Sequence, residues 1–258
     1  MNSDHRPPTP MDNQNGRSSD NPLDYPSQKV ILEHSIDGLG KPKRRSFYDQ
    51  AYDYGIEGGR WKRAYARLIH LLPKASPIDI YLDGRLFYSG LSYHGISDYI
   101  SVRPGNHRIF LYTVGRRARP IFYKTLFIPR RGVVSMVIHG KSEPDVMVLD
   151  DRTIIPPGRA KVKIVHLAPH LSAVDLLANG SVWFNEIIYQ EASEYISITA
   201  GREALVLRAS ETKHIIFSLP NAHFGRNKAY TVYVTGSVNV ASSLKMIVTQ
   251  DNSACFNY

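Results

Sequence analysis

The feature that most constrains this chain is an internal duplication. Residues 66–105 align with residues 162–201 at a constant offset of 96 without a gap, and twelve of the forty positions are identical. The likeness continues in residue type between residues 134–140 and 230–236. Similarity at a fixed period is the mark of a repeat architecture. We therefore expect two copies of one unit of about ninety residues, the size of an immunoglobulin-like sandwich.

Within each copy, runs of β-branched and aromatic residues alternate with turn signals at spacings of about eight to twelve residues, which is typical of an all-β sandwich or barrel. Asp83-Gly84 and Asn179-Gly180 predict type I′ hairpin turns, which need positive φ at both central residues. The fold class is thus predicted to be all-β, with two tandem immunoglobulin-like β-sandwich domains. We assign residues 64–151 to the first domain, 152–158 to a Pro-rich linker and 159–258 to the second domain.

Residues 1–63 differ in composition from the rest. They are rich in Pro, Asn, Asp, Ser and Gly and show no sustained hydrophobic period, so they cannot bury enough surface to offset the entropy of ordering. They are predicted to form a disordered N-terminal tail. Residues 30–32 and the aromatic run 47–54 are candidate docking segments within it, and the alternative is unstructured linker.

Several classes of protein are excluded by composition. No run approaches the roughly 18 apolar residues of a membrane-spanning helix. The N-terminus lacks the apolar core of a secretory signal, which predicts a cytoplasmic protein. The single cysteine, Cys255, excludes an internal disulfide framework and a cysteine-based zinc site. Phosphate-binding glycine loops are missing, so no cofactor is expected.

Each copy places a His, a Ser and an Asp within ten residues: His70, Ser76, Asp79 and His166, Ser172, Asp175. A hydrolytic triad would need a constrained serine turn and oxyanion donors, and no G-x-S-x-G motif occurs. We interpret the His as bonding a turn carbonyl and the Asp as accepting from backbone amides of the same turn. The protein is therefore predicted not to be an enzyme, with a hydrolase as the disfavoured alternative. His94, His107, His139, His170, His214 and His223 show no H-x-x-x-H spacing among themselves and no recurring carboxylate partner, so no metal is expected.

The formal charge of +9 is concentrated in the middle of the chain, where residues 64–158 hold thirteen Lys or Arg against seven Asp or Glu. The densest runs there are Arg116, Arg117, Arg119 and Arg130, Arg131. They form a candidate patch for an anionic polymer such as teichoic acid or nucleic acid, without sequence-specific base recognition. The alternative is that these arginines are solvated hairpin tips that protect strand edges from aggregation.

Sixteen tyrosines are present, and among those in the first copy are Tyr81, Tyr88, Tyr93, Tyr99, Tyr112 and Tyr123. Tyrosine packs well on sheet faces, which is one interpretation. The other is an exposed aromatic surface for a polymer or protein partner, because interfaces are enriched in tyrosine.

Residues 70–84 and 166–180 resemble the opening motif H-x-S-P-x-A-P-x-V-D-V-Y-x-D/N-G of a bacterial family, Domain of Unknown Function 4397. Residues 93–105 and 189–201 are similar to its tyrosine-plus-V-P-A-G segment. The motif positions in this chain are His70, Pro73, Asp79, Gly84, Tyr99, Gly105 and their counterparts His166, Pro169, Asp175, Gly180, Tyr195, Gly201.

The resemblance implies β-sandwich modules, often in tandem, in surface-associated proteins with no accepted catalytic residues. It also implies a likeness to tandem members from spore-forming Gram-positive bacteria. A non-catalytic structural or interaction protein is the function expected on this basis, with an unknown protein or an envelope polymer as its partner. The alternative to a cytoplasmic location is then the spore or the cell surface.

Overall fold

The computed structural model describes residues 63–73, 75–141, 143–236 and 244–251. The predicted tail, apart from Arg63, lies outside these residues, as do its two candidate docking segments and Cys255. In the described part of the chain, no helix is long and apolar enough to cross a membrane.

The first domain consists of eight strands, β1 (Ala64–His70), β2 (Ile78–Leu82), β3 (Arg85–Leu91), β4 (Ile100–Val102), β5 (Gly105–Thr113), β6 (Phe122–Ile128), β7 (Val133–Gly140) and β8 (Pro144–Asp150). They form two four-stranded sheets with the orders β4-β1-β7-β8 and β3-β2-β5-β6.

The second domain repeats this arrangement with β9 (Arg159–Leu167), β10 (Val174–Ala178), β11 (Ser181–Ile187), β12 (Ile196–Thr199), β13 (Gly201–Ala209), β14 (Ile215–Phe224), β15 (Lys228–Thr235) and β16 (Lys245–Asp251). Its sheets have the orders β12-β9-β15-β16 and β11-β10-β13-β14. The predicted fold class, two tandem β-sandwich domains, is confirmed.

The predicted hairpin turns are present at both positions. Asp83 and Gly84 have φ values of 49° and 77°, and Asn179 and Gly180 have 46° and 82°. Positive φ at both central residues is the requirement of a type I′ turn, which matches the right-handed twist of the two strands that it joins.

Not all neighbouring strands are antiparallel. The first strand of each domain pairs in parallel with the seventh, β1 with β7 and β9 with β15. Parallel neighbours need a long crossover connection. Here the whole second sheet of the domain lies between the two strands in sequence, so each sandwich is closed by a contact between distant residues.

Alternation along these strands divides their side chains between two apolar layers. In β1, Ala66 and Leu68 face the core inside the first sandwich, and the second sandwich has a corresponding core of its own. Side chains on the opposite face of β1 form a third cluster together with residues of the second domain: Ile69, Leu71, Val137, Leu149, Val165, Leu167 and Tyr233. The β4-β1-β7-β8 and β12-β9-β15-β16 sheets are therefore buried on both faces, and we call them the interface sheets.

Candidate functional site

The motif histidines are buried inside their own domains. His166 accepts a hydrogen bond at Nδ1 from the Ala168 amide at 3.3 Å, and its Nε2 lies 3.2 Å from the Ser172 carbonyl. His70 accepts at Nδ1 from the Leu72 amide at 3.3 Å. Burial lowers the pKa of both imidazoles, although the backbone near each ring opposes the shift. Each neutral ring thus holds the loop that follows the first strand, and the predicted carbonyl contact is present at His166.

The motif aspartates perform a task that differs from the predicted one. β3 and β11 each contain a bulge opposite the aspartate. Asp79 accepts from the Ser89 hydroxyl at 2.7 Å and the Gly90 amide at 2.9 Å, and Asp175 accepts from the Glu186 amide at 3.1 Å. The bulge residues Gly90 and Glu186 have φ values of 70° and 54°. The expectation that these carboxylates cap the turn before their own strand was wrong, because the extra bulge residue leaves an amide free on the neighbouring strand.

Asp175 has further partners that Asp79 lacks. It also accepts from Ser210 Oγ at 2.7 Å, Arg208 Nε at 3.0 Å and Lys213 Nζ at 3.1 Å. These hydrogen bonds lower the pKa of its carboxyl well below the ordinary value, although burial opposes them. Ser76 and Ser172 are solvent-exposed and the two aspartates are hydrogen-bonded to the bulges, so among the described residues the side chains of the motif His, Ser and Asp form no hydrogen-bonded triad.

The motif tyrosines lie at a different place, where the two domains meet. Tyr99 donates its hydroxyl to Asp151 Oδ2 at 2.8 Å, and Tyr195 donates to Asp251 Oδ2 at 2.7 Å. The cation of the same domain lies over each ring, with Arg67 Cζ 5.0 Å from the Tyr99 centroid and Lys163 Nζ 4.6 Å from that of Tyr195.

Arg67, Asp151, Lys163 and Asp251 form what we call the charged cluster, and its two shortest ion pairs cross between the domains, whereas a longer one joins Arg67 Nε to Asp151 Oδ2 of the same domain at 3.8 Å. The Arg67 guanidinium pairs with Asp251, and Lys163 Nζ lies 3.0 Å from Asp151 Oδ1. Arg67 also donates to the Gln250 carbonyl at 2.8 Å, and Lys163 to the Asp150 carbonyl at 2.6 Å. Both carboxylates are fully buried. Two cations and two anions make the cluster neutral, which is the condition for burying charge at tolerable cost.

The hydroxyls around the cluster complete its hydrogen bonding. Asp151 accepts from Ser135, and Asp251 accepts from Thr231 at 2.7 Å. Burial would lower the pKa of Arg67, but the nearby carboxylates outweigh it and the pKa is raised. Burial, together with repulsion from Asp151, raises the pKa of Asp251. Burial likewise raises the pKa of both Tyr99 and Tyr195. These tyrosines stay protonated and donate, so the cluster is a structural joint.

The candidate arginine patch is divided in space. Arg116, Arg117 and Arg119 lie in the β5–β6 connection, whereas Arg130 and Arg131 follow the other end of β6. The seven residues of β6 separate the two runs by about 20 Å at a rise of about 3.3 Å per residue. The five side chains therefore flank one strand at its two ends and do not form a compact anion site.

One exposed surface in the first domain combines aromatic rings with cationic groups. Leu86, Tyr81, Phe110 and Tyr123 are successive register partners across the outer face of the β3-β2-β5-β6 sheet, and we call them the aromatic row. Tyr123 is 61% exposed and Leu86 49%. The Phe110 and Tyr123 rings lie nearly parallel, 6.1 Å apart. Arg117 folds back over the sheet, with its Cζ 5.4 Å from the Tyr81 centroid.

The second domain lacks this surface at the equivalent positions. The corresponding register partners there are Val182, Leu177, Val206 and Ser218. The duplicated scaffold thus carries the aromatic row on one copy only. The number of tyrosines in the first copy is visible in the sequence. The register of the four strands is needed to show that Leu86 and three aromatic residues lie side by side on one sheet face.

The fold is a tandem repeat of β-sandwich domains. Its motif His, Asp and Tyr side chains make buried hydrogen bonds, and the first domain exposes one aromatic face. The chain belongs to the family described as Domain of unknown function (DUF4397), whose profile matches residues 64–176 and 160–255. A comparison with curated proteins finds no match.

Two solved structures show a distant likeness. One is a family 26 carbohydrate-binding module of Eubacterium rectale in complex with maltoheptaose, at 10% identity over 73% of this chain and 99% of that chain, with a TM-score of 0.27. The other is a tip fimbrial protein of Porphyromonas gingivalis, at 8% identity over 73% of this chain and 99% of that chain, with a TM-score of 0.23. At TM-scores this low, neither likeness transfers a ligand or a role to this chain.

Proposed function

We propose that this is a non-catalytic interaction protein that binds a protein partner through the aromatic row of its first domain. The observation that carries the proposal is the asymmetry between the repeats. Two copies of one scaffold differ in that only the first exposes Tyr123 and Leu86 next to Tyr81 and Phe110. Packing inside the sandwich does not require these side chains, since the second copy folds with smaller residues in their place.

The composition of this face agrees with a protein interface. Centres of interfaces are enriched in Tyr, Phe and Arg and depleted in Asp and Glu, and a few such residues carry most of the binding energy. The carboxylates of β2 and its turn are occupied: Asp79 by Ser89 and Gly90, and Asp83 by His107 Nδ1 at 2.7 Å and the Arg108 amide at 2.8 Å. Arg117 and the exposed rings are therefore the groups of this face that we expect to contact a partner.

The charged cluster and the third apolar layer support this role by holding the domains together. The interface sheets of the two domains pack against each other, so the second domain contacts the first on the side opposite to the aromatic row. A fixed surface loses less conformational entropy on binding than a mobile one.

A matched pair of substitutions tests the proposal. Leu86→Ser and Val182→Ser change equivalent residues, 49% and 50% exposed, in the first and second domains. Tagged full-length proteins are cross-linked in source cells, and the captured proteins are compared. We expect a partner that wild type and Val182→Ser capture alike and that Leu86→Ser or Tyr123→Ser loses. Capture that is equal for all four proteins would refute the proposal.

The second candidate function is binding of an anionic polymer through Arg116, Arg117, Arg119, Arg130 and Arg131. Salt separates it from the first, because affinity for phosphates falls steeply as salt rises. Capture that survives about 0.5 M salt supports a packed protein interface, and loss of all binding by about 0.2 M supports the polyanion. A fluorescent fusion followed through growth and sporulation tests whether the partner belongs to the cytoplasm or to a spore or envelope layer.

A further inference from the structure

We propose that the partner binds by strand addition: an extended segment with an apolar middle and acidic ends pairs with the outer edge of β6. This inference rests on the proposed function, because the added strand would extend the aromatic row. Strand addition supplies affinity through main-chain hydrogen bonds and specificity through alternate side chains.

β6 is a regular strand at the edge of its sheet. β6 pairs with β5 over seven consecutive residue pairs without a shift of register, and it is the last strand of its sheet. Among the described residues, no strand pairs with its other side through backbone hydrogen bonds, although the Lys124 side chain of β6 donates to Asp145 of β8. An unpaired, regular edge presents a row of amide and carbonyl groups that serves as a template for another strand.

Most other edges in the described part of the chain are blunted. β3 and β11 are bulged, and β4 and β12 are only three and four residues long. In β8 and β16, the Val146 and Gln250 carbonyls accept side-chain hydrogen bonds from Lys124 and Arg67. The edge of β14, the counterpart of β6, contains Pro220 and shifts register. Proline and bulges are the usual means of protecting an edge.

The aromatic row ends on this edge. Tyr123, its most exposed member, lies on β6, and Thr125 and Phe127 share its face because side chains alternate along a strand. A strand added to β6 would place every second side chain beside these three residues, as the next member of the row. Apolar or aromatic residues at alternate positions are the partner chemistry that this face fits.

The two arginine runs favour a partner segment with negatively charged ends. They lie at opposite ends of β6, so pairing of two β6 strands in the antiparallel sense would bring Arg117 and Arg119 of one copy beside Arg130 and Arg131 of the other. Like charges in close proximity disfavour this self-association. An extended segment of about eleven residues with acidic ends would instead meet a cation at each end.

The test uses the full-length protein and a synthetic peptide. The probe is a fluorescein-labelled peptide of about eleven residues, with two acidic residues at each end and alternating Val and Thr between them, matched to the length of β6 plus its flanks. The controls are the same peptide with a central Pro and the same peptide with Lys at its ends. Binding is followed by fluorescence anisotropy, and amide hydrogen exchange locates the paired strand.

We expect saturable binding of the acidic peptide and protection of β6 amides. Binding should weaken at least about tenfold for the Pro peptide, the Lys peptide and the Tyr123→Ser protein, as for loss of a central interface residue. Ser218→Ala, at the equivalent position of the second domain, should leave binding unchanged.

Equal binding of the Pro peptide, or protection of a strand other than β6, would overturn the inference. Complete displacement by an oligonucleotide of equal charge would assign the site to polyanions, and absence of binding would refute strand addition. A partner that still requires Leu86 and Tyr123 in the cross-linking experiment would leave the proposed function standing in either case.

Discussion

Removing Arg67 should destabilise both domains, although the residue belongs to the first. The Arg67→Met substitution takes from the buried Asp251 carboxylate the guanidinium with which it pairs, and leaves the charged cluster with Lys163 as one cation against two carboxylates. Breaking a buried ion pair from one side costs about 3–5 kcal/mol, because the remaining charge is uncompensated. At a urea dependence of about 2–3 kcal/mol per molar, the unfolding midpoint should fall by about 1–2 M.

The assay uses the tryptophan of the second domain as a reporter. Trp183 packs against Phe224 at a centroid distance of 5.6 Å, in the core of the second sandwich. In a Trp61→Phe background, Trp183 is the sole tryptophan. If the charged cluster joins the domains, the Trp183 fluorescence transition in urea shifts together with the far-ultraviolet circular dichroism transition.

The control is Arg131→Met, which removes an exposed arginine and should change the free energy of unfolding by less than about 0.5 kcal/mol. Adding Asp251→Asn to Arg67→Met should restore part of the loss, since no buried charge is then left unpaired. The reasoning fails if Arg67→Met matches Arg131→Met, or if the Trp183 transition stays in place while circular dichroism reports a loss.

Further predictions concern pH, the motif residues and the isolated domain. Burial lowers the pKa of His139 from 6.5 to about 4, so below about pH 6.5 the unfolded chain binds a proton that the folded protein does not. The contribution of His139 to stability is therefore fully present above about pH 6.5 and should fall by up to about 3 kcal/mol towards pH 4. Urea titrations at each pH should show a smaller fall for His139→Thr. His166→Ala should cost about 1–3 kcal/mol in calorimetry, because the Ser172 carbonyl and the Ala168 amide lose their partner. Asp175→Ala should lower the melting temperature more than Asp79→Ala, since Asp175 holds more donors; equal shifts would contradict this. Residues 159–258 expressed alone should fold on their own core yet self-associate in analytical ultracentrifugation through the exposed third layer, and an unfolded product would mean that the domains share one core.

The duplication and the hairpins were predictable from the sequence because both are local signals. A constant offset defines the repeat, and Asp-Gly or Asn-Gly between apolar runs defines the turn. The bulge in the second copy was not predictable, because nothing in Asn185-Glu186 distinguishes an extra residue in a strand from an ordinary one, whereas in the first copy Gly90 is a local signal, since a glycine inside a strand often marks a bulge. Since neither bulge was predicted, the role of Asp79 and Asp175 was assigned to the wrong amide.

The sequences of β1 and β9 indicate that these strands are covered on both faces. In β1 both faces are apolar beyond Arg67, since Ile69 and Leu71 alternate with Leu68, and β9 repeats the pattern with Val165 and Leu167. Strands that are apolar on both faces are buried on both sides. What covers the second face depends on contacts between residues about one hundred or more positions apart, such as Arg67 with Asp251, and a single sequence does not specify them.

The crossed ion pairs also limit how the two repeats can diverge. A neutral residue at Lys163 would remove the ammonium group 3.0 Å from Asp151 in the other repeat, and loss of Arg67 would remove the guanidinium that pairs with Asp251. A change of charge in one copy is therefore compatible with the fold when a compensating mutation arises in the other copy. A recombination event that exchanged the second domain for that of another protein would yield a stable chain only if the incoming domain brought a cation for position 163 and a carboxylate for position 251. Although the duplication produced two equivalent domains, the crossed ion pairs mean that their charged residues have to evolve together.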